Sequence, residues 1–275
     1  MKDRINANTY QVRFYYVYAE NKTFQALGPE GLDYWKRLVM AEGVLAKRAG
    51  YAVALHCALS NGGNLENTTD DIDNFLTKGI DAAVELAKLA EKYQFEYFCL
   101  HEFDNELHSV TGNITRVYGL LNDSFPEYAQ DIRQVFNGKI FTQIALSTFD
   151  FTKLNVSSLD FFGVLVQNLG QEVSAVKSML NQTVTKAETL SSTSGKGWLI
   201  SECWFGKTHN GNNSDVEYQG DCFSITFDCL ENNATIKPIG FLIFSWNFDD
   251  PDAFYPAIIN TLSETMVKDY FQSKG

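Results

Sequence analysis

Three carboxylates crowd the stretch FCLHEFDNEL, residues 98–107: Glu102, Asp104 and Glu106. They follow an apolar run, FEYFCL, that reads as a buried strand. A further glutamate, Glu202, lies in a second apolar run, LISECWFG. Carboxylates at the ends of buried strands are expensive unless they are solvated, paired or used. Two of them aimed at one bond are the minimum equipment for glycoside hydrolysis, one as acid and base, the other as nucleophile. A metal hydrolase is the competing chemistry, because His101, Glu102, Glu106 and His108 are clustered. The zinc motif H-E-x-x-H needs its histidines at i and i+4 on a helix, and these stand at 101 and 108. No metal site and no cofactor are therefore expected.

The elements around these residues alternate. Tyr10–Ala19 (YQVRFYYVYA) reads as a strand, followed by helical spacing that ends at Gly50. YAVALHCAL is a strand, and DDIDNFLTKGIDAAVELAKLAEKYQ an amphipathic helix with acids at its start, as the helix dipole prefers. FEYFCL is a strand. A helical region containing Pro126 follows and closes at Asn137–Gly138. KIFTQIAL and LDFFGVLVQ are strands, EVSAVKSMLNQTVTKAETL a helix and GWLISECWF a strand. A polar excursion runs from Gly206 to Gly220, then IGFLIFSWNF is the seventh strand and a helix from Pro256 to Phe271 closes the series. Strands apolar on both faces and alternating with helices indicate a parallel sheet covered by helices. No glycine-rich phosphate loop follows the first strand, which argues against dinucleotide binding. The strand ends carry Arg13, His56, Asn105–Glu106, Gln143, Gln167, Glu202 and Trp246, and in a barrel of this class such ends surround the active site.

That ordered set resembles the large clan of retaining glycosidases with catalytic glutamates after strands four and seven, and within it the cellulase and mannanase family, glycoside hydrolase family five. QVRFYYVY is similar to that family's second strand, FCLHEFDNEL to its fourth, LISECWFG to its seventh and GFLIFSWNFDD to its eighth. The resemblance runs from Gln11 to Asp250. It implies a (β/α)8 TIM barrel that lacks the first strand and helix, so that residues 1–275 form a single, N-terminally truncated barrel domain. It also implies an O-glycosyl hydrolase that cleaves β-linked oligo- or polysaccharide by retaining double displacement. Glu106 is the implied acid and base, its pKa raised by a neighbouring carboxylate and partial burial. Glu202 is the implied nucleophile, kept ionised with help from Arg13. Asn105 would bond the sugar hydroxyl beside the reacting carbon, Trp246 would stack on a sugar, and His56, Gln167 and Trp204 would complete the substrate-binding set. Glu102 is expected to support Glu106, and Asp104 to be a solvated loop residue beyond a bend in the strand. A retaining pair requires its carboxyl groups about 5–5.5 Å apart. One departure is VLVQNLG, where the family places a tyrosine after strand six. It keeps open a second reading, a carbohydrate-binding or cell-surface barrel without turnover.

Composition narrows the partners. The net charge is −12 with no basic patch, which excludes phosphate-contact binding of nucleic acid. No apolar run reaches transmembrane length, and MKDRINANTY lacks the apolar segment of a signal peptide. Cys57, Cys99 and Cys203 sit in apolar strand patterns, while Cys222 and Cys229 could pair. Five cysteines leave at least one thiol free. N-x-S/T sequons occur at Asn21, Asn67, Asn113, Asn122, Asn155, Asn181, Asn212 and Asn233, eight where this composition gives roughly three by chance. They point to an extracellular or cell-surface glycoprotein. The oligomeric state has no signature in the sequence.

Overall fold

A computed structural model describes residues 8–26, 29–168, 172–205, 215–242 and 262–274. The described elements are β1 (Thr9–Tyr18), β2 (Phe24–Ala26), α1 (Leu32–Arg48), β3 (Ala52–Ser60), α2 (Thr69–Lys92), β4 (Tyr97–His101), α3 (Phe103–Thr111), α4 (Ile114–Arg133) and β5 (Lys139–Ile144). They continue with β6 (Phe161–Asn168), α5 (Val173–Ser194), β7 (Gly197–Phe205), α6 (Asp215–Asn232) and α7 (Leu262–Lys274). The chain divides into two compact units. One comprises Thr9–Phe162 and Ser194–Lys196; the other comprises Met1–Asn8, Gly163–Thr193 and Gly197–Gly275.

In the first unit the strands lie in the order β2-β1-β3-β4-β5. β1, β3, β4 and β5 pair in parallel, with Arg13 beside His56, His56 beside Cys99 and Cys99 beside Phe141. β2 is an antiparallel partner of Tyr16–Tyr18 that the sequence reading did not anticipate. Because side chains alternate along a strand, the register sorts them into two faces. Val12, Phe14, Tyr16, Tyr18, Leu55, Leu59, Phe98 and Leu100 form the face that meets the helices: Tyr18 packs on Phe75 of α2 and Phe98 on Phe136 beyond α4. The opposite face carries Gln11, Arg13, His56, Cys99, His101, Phe141 and Gln143, and the buried rings of His56 and Phe141 meet there edge to face.

The helices are begun and docked locally. Thr68 caps α2 by accepting the Asp71 N–H at 3.3 Å, with Asp70 and Asp71 in the first turn. Its buried stripe of Ile72, Phe75, Ile80, Ala83, Leu86 and Ala90 follows helical spacing. Gly79 lets this helix come close, since a Cβ there would lie 2.6 Å from Leu59 Cδ1 and 2.5 Å from the Tyr128 hydroxyl. Asn113 caps α4 in the same way through the Arg116 N–H. Pro126 lies inside α4, and the helical region read as one element is two helices separated at Gly112, which has φ 61°.

In the second unit β6 and β7 are neighbours. They approach closely at Gly163, where a Cβ would lie 2.3 Å from that of Ser201. Phe241 forms a parallel bridge with Ile200, the start of the run read as the seventh strand; the remainder lies outside the described residues. The expected polar excursion to Gly220 is corrected from Asp215 onward, where α6 runs for 18 residues. Its weak amphipathic pattern and Gly220 hid it. Cys222 and Cys229 lie on α6 and are free thiols, as are Cys57, Cys99 and Cys203. Burial pushes the Cys222 thiol up to about 12, where it is protonated and unreactive.

Candidate active site

The strand-end glutamate of β4 is Glu102. β4 ends at His101, and Glu102 takes the left-handed conformation with φ 56° and ψ 25° before α3 begins at Phe103. Such backbone costs a non-glycine residue roughly 1–2 kcal/mol, and strain of this kind collects at functional positions. It also redirects the side chain. Strict alternation would place Glu102 on the helix-packed face with Phe98 and Leu100. Instead its Oε1 lies 3.1 Å from Nε2 of the fully buried His101. The bend expected after the strand is present, and its pivot is Glu102.

Glu106 and Asn105 are not strand-end residues. Both lie on α3, and this corrects their expected placement. Glu106 Oε2 accepts the Asn61 N–H at 2.7 Å, joining α3 to the loop after β3. Asn105 is exposed. Asp104 is corrected as well: it is 2% exposed rather than solvated. Its carboxylate accepts the N–H groups of Asn105, Ala145 and Leu146 at 3.0, 3.1 and 2.8 Å. The sequence shows three acids spaced by two, but the donors to Asp104 and Glu106 include residues just after β5 and in the loop after β3, which no local pattern announces.

The pKa directions separate the three. Burial raises Glu106, and the Asn61 N–H opposes it only in part. Burial likewise pushes Asp104 up to about 6. Burial pushes Glu102 up too, but the hydrogen bond from His101, together with the Arg13 charge, brings it below the ordinary value. By pKa alone Glu106 resembles a general acid. Placement is the prior test for an acid–base group, and it favours Glu102.

Arg13 is half-buried on β1, donates to the Tyr15 hydroxyl at 2.8 Å and lines a cavity of about 230 Å³ with Trp35, Leu38, Val39 and Glu42. Its charge reaches both His56 and Glu102. His56 is fully buried and held neutral chiefly by burial, with the Arg13 charge adding to it. His56, Cys99 and His101 place possible ligand atoms within 4.8 Å of one another, so among the described residues of this unit they could hold a metal. His108 lies on α3 with its ring against Phe149, 5.1 Å between centroids.

In the second unit Glu202 is 3% exposed on β7 and Trp204 is buried two residues further on. Gln167 is half-buried near the end of β6. Trp246 lies outside the described residues.

No family model matches the chain, and no curated protein matches it. Solved structures match its fold. A β-1,4-mannanase of glycoside hydrolase family 113 has a TM-score of 0.75 at 14% identity, covering 99% of this chain and 90% of that one. The family 113 β-mannanase from Alicyclobacillus acidocaldarius has a TM-score of 0.69 at 12% identity, covering 98% and 88%. The endo-β-1,4-mannanase from Thermotoga petrophila has a TM-score of 0.63 at 11% identity, covering 98% and 71%. At these identities the likeness is one of fold, and the chain has the α/β, TIM-barrel type of fold that these proteins share.

Proposed function

We propose that the chain is a retaining glycoside hydrolase of β-linked oligo- or polysaccharide, with Glu102 as acid and base and Glu202 as nucleophile. The observation that carries this is Glu102 itself: a carboxylate in strained left-handed backbone at the C-terminal end of a parallel strand, where this fold class keeps its chemistry. In the first step Glu102 gives its proton to the glycosidic oxygen as that bond breaks, while Glu202 forms a bond to the anomeric carbon. In the second, Glu102 takes a proton from water as the water displaces Glu202, regenerating both carboxyl groups. Residues 1–275 act as one barrel domain in this reading. Arg13 contributes positive charge beside Glu102, and Gln167, Trp204 and Trp246 contribute sugar contacts.

The mannanase names of the structural neighbours support β-1,4-mannan as the first substrate to try, and the family-five motifs support β-1,4-glucan as the second. Five sequon asparagines, Asn21, Asn67, Asn113, Asn155 and Asn233, are exposed, and Asn122 and Asn181 are half-buried, which supports an extracellular or cell-surface glycoprotein. The test is hydrolysis of mannan, cellulose oligosaccharides and aryl β-glycosides by the wild type and by Glu202→Gln. Turnover that disappears in Glu202→Gln while oligosaccharide binding persists is the expected result. Binding without turnover in the wild type would replace the hydrolase by a carbohydrate-binding barrel.

A further inference from the structure

Four polar groups form one row on the sheet face opposite the helices. Gln11 Nε2 lies 3.3 Å from His56 Nδ1, His56 Nδ1 lies 3.2 Å from His101 Nδ1, and His101 Nε2 lies 3.1 Å from Glu102 Oε1. Both rings are fully buried. Their partners decide where the protons sit. Two Nδ1 atoms at hydrogen-bond distance need one proton and one lone pair between them. A carboxylate at His101 Nε2 selects the tautomer with its proton there. His101 Nδ1 is then the lone pair, and the proton between the rings belongs to His56 Nδ1. This leaves a lone pair on His56 Nε2, which has no hydrogen-bond partner among the described residues. An unpaired buried acceptor is tolerated better than an unpaired N–H. This arrangement requires the Gln11 amide to be turned over from the orientation with Nε2 toward His56, so that its oxygen faces the His56 Nδ1–H.

We infer that His56 and His101 are positioning residues for Glu102. His101 Nε2 faces Oε1 at 3.1 Å, so the proton exchanged with substrate is carried on Oε2, and His56 holds His101 in the tautomer that turns an N–H toward Oε1. The role rests on Glu102 being the acid and base; the proton arrangement does not.

The test reads protons first. The chain has four histidines, so nitrogen-15 histidine labelling with single substitutions assigns every ring. At neutral pH, His101 is expected to be protonated on Nε2 and His56 on Nδ1. In His56→Leu the His101 signal is expected to become a mixture of tautomers. With a hydrolysed substrate, His101→Leu is expected to lower kcat by about 10–100-fold, the usual size for an orienting partner. KM should change by less than about threefold, and aryl glycosides with good leaving groups, which need little acid assistance, should suffer least. The same tautomer in both rings would overturn the inference. So would lone pairs on both Nδ1 atoms with one equivalent of bound metal, or an unchanged kcat in His101→Leu. The wild-type spectrum decides the proton arrangement even if both variants fail to fold. Tautomers as stated in a protein that cleaves no glycoside would sink the hydrolase reading and, with it, the catalytic role, while leaving the proton arrangement in place.

Discussion

Asp104 lies in the first turn of α3 and ties it to the end of β5, because two of its three N–H donors, Ala145 and Leu146, directly follow that strand. Burial raises its pKa from 3.8 to about 6, the three N–H groups pull it down and the charge of Glu102 adds to the rise. The folded protein therefore binds this proton more tightly than the unfolded chain. The stability it contributes is complete below the unfolded value and is lost as pH rises through the folded one. A shift of roughly two units at 1.36 kcal/mol each gives about 3 kcal/mol. Asp104→Asn lacks this titration. It carries instead a pH-independent cost of about 1–3 kcal/mol, since one amide group cannot offer acceptors to all three N–H groups. The wild-type advantage over Asp104→Asn should consequently shrink by about 3 kcal/mol between pH of about 3.5 and 7.5. Thermal unfolding of the pair across that range reads it as a change of about 6–12 °C in the difference between their midpoints. A difference that is flat, or that widens as pH rises, would refute the reasoning, because the three N–H groups would then outweigh burial and keep Asp104 ionised.

Glu102→Gln should lower turnover by about 10²–10⁴-fold, whereas Glu106→Gln, which keeps a carbonyl for the Asn61 N–H, should stay within about threefold; kinetics of the two variants in parallel would reinstate Glu106 if the order came out reversed. Asp71 accepts from the Tyr18 hydroxyl, Lys22 and the Glu66 N–H at 2.9, 2.7 and 2.7 Å. Burial pushes it up, but these three bonds win and hold its pKa below the ordinary value. Its contribution is thus present above the unfolded pKa and lost as pH falls. Asp71→Ala should cost about 1–3 kcal/mol for each of the two uncharged donors left without an acceptor, and in contrast to Asp104 the cost should diminish in acid. Expression in a glycosylating secretory host should attach glycans at exposed sequons such as Asn21 and Asn155, and enzymatic deglycosylation should lower the mass; an unchanged mass would remove the extracellular proposal.

Residue type alone made strands β1, β3, β4, β5, β6 and β7 legible. Long apolar runs in Tyr10–Ala19, YAVALHCAL and GWLISECWF can be satisfied only by burial on both faces, and Thr68 with Asp70 and Asp71 marks the start of α2 without reference to anything distant. The sequence also determined that carboxylates gather where β4 ends. Which of them closes the strand was decided by tertiary structure. Spacing and the Asn-Glu pair favour Glu106, but α3 docks on the loop after β3 and on the end of β5, and that docking turns the chain at Glu102 into left-handed backbone. The burial of Asp104 has the same origin, in donors some 40 residues away along the chain. β2 stayed hidden because three residues carry too little pattern, and α6 because Gly220 and mixed apolar positions blur its period. Local chemistry sets what an element can be. Strain, hydrogen-bond partners and the direction of a side chain depend on what packs against that element, and for Glu102 and Asp104 those partners are remote in sequence.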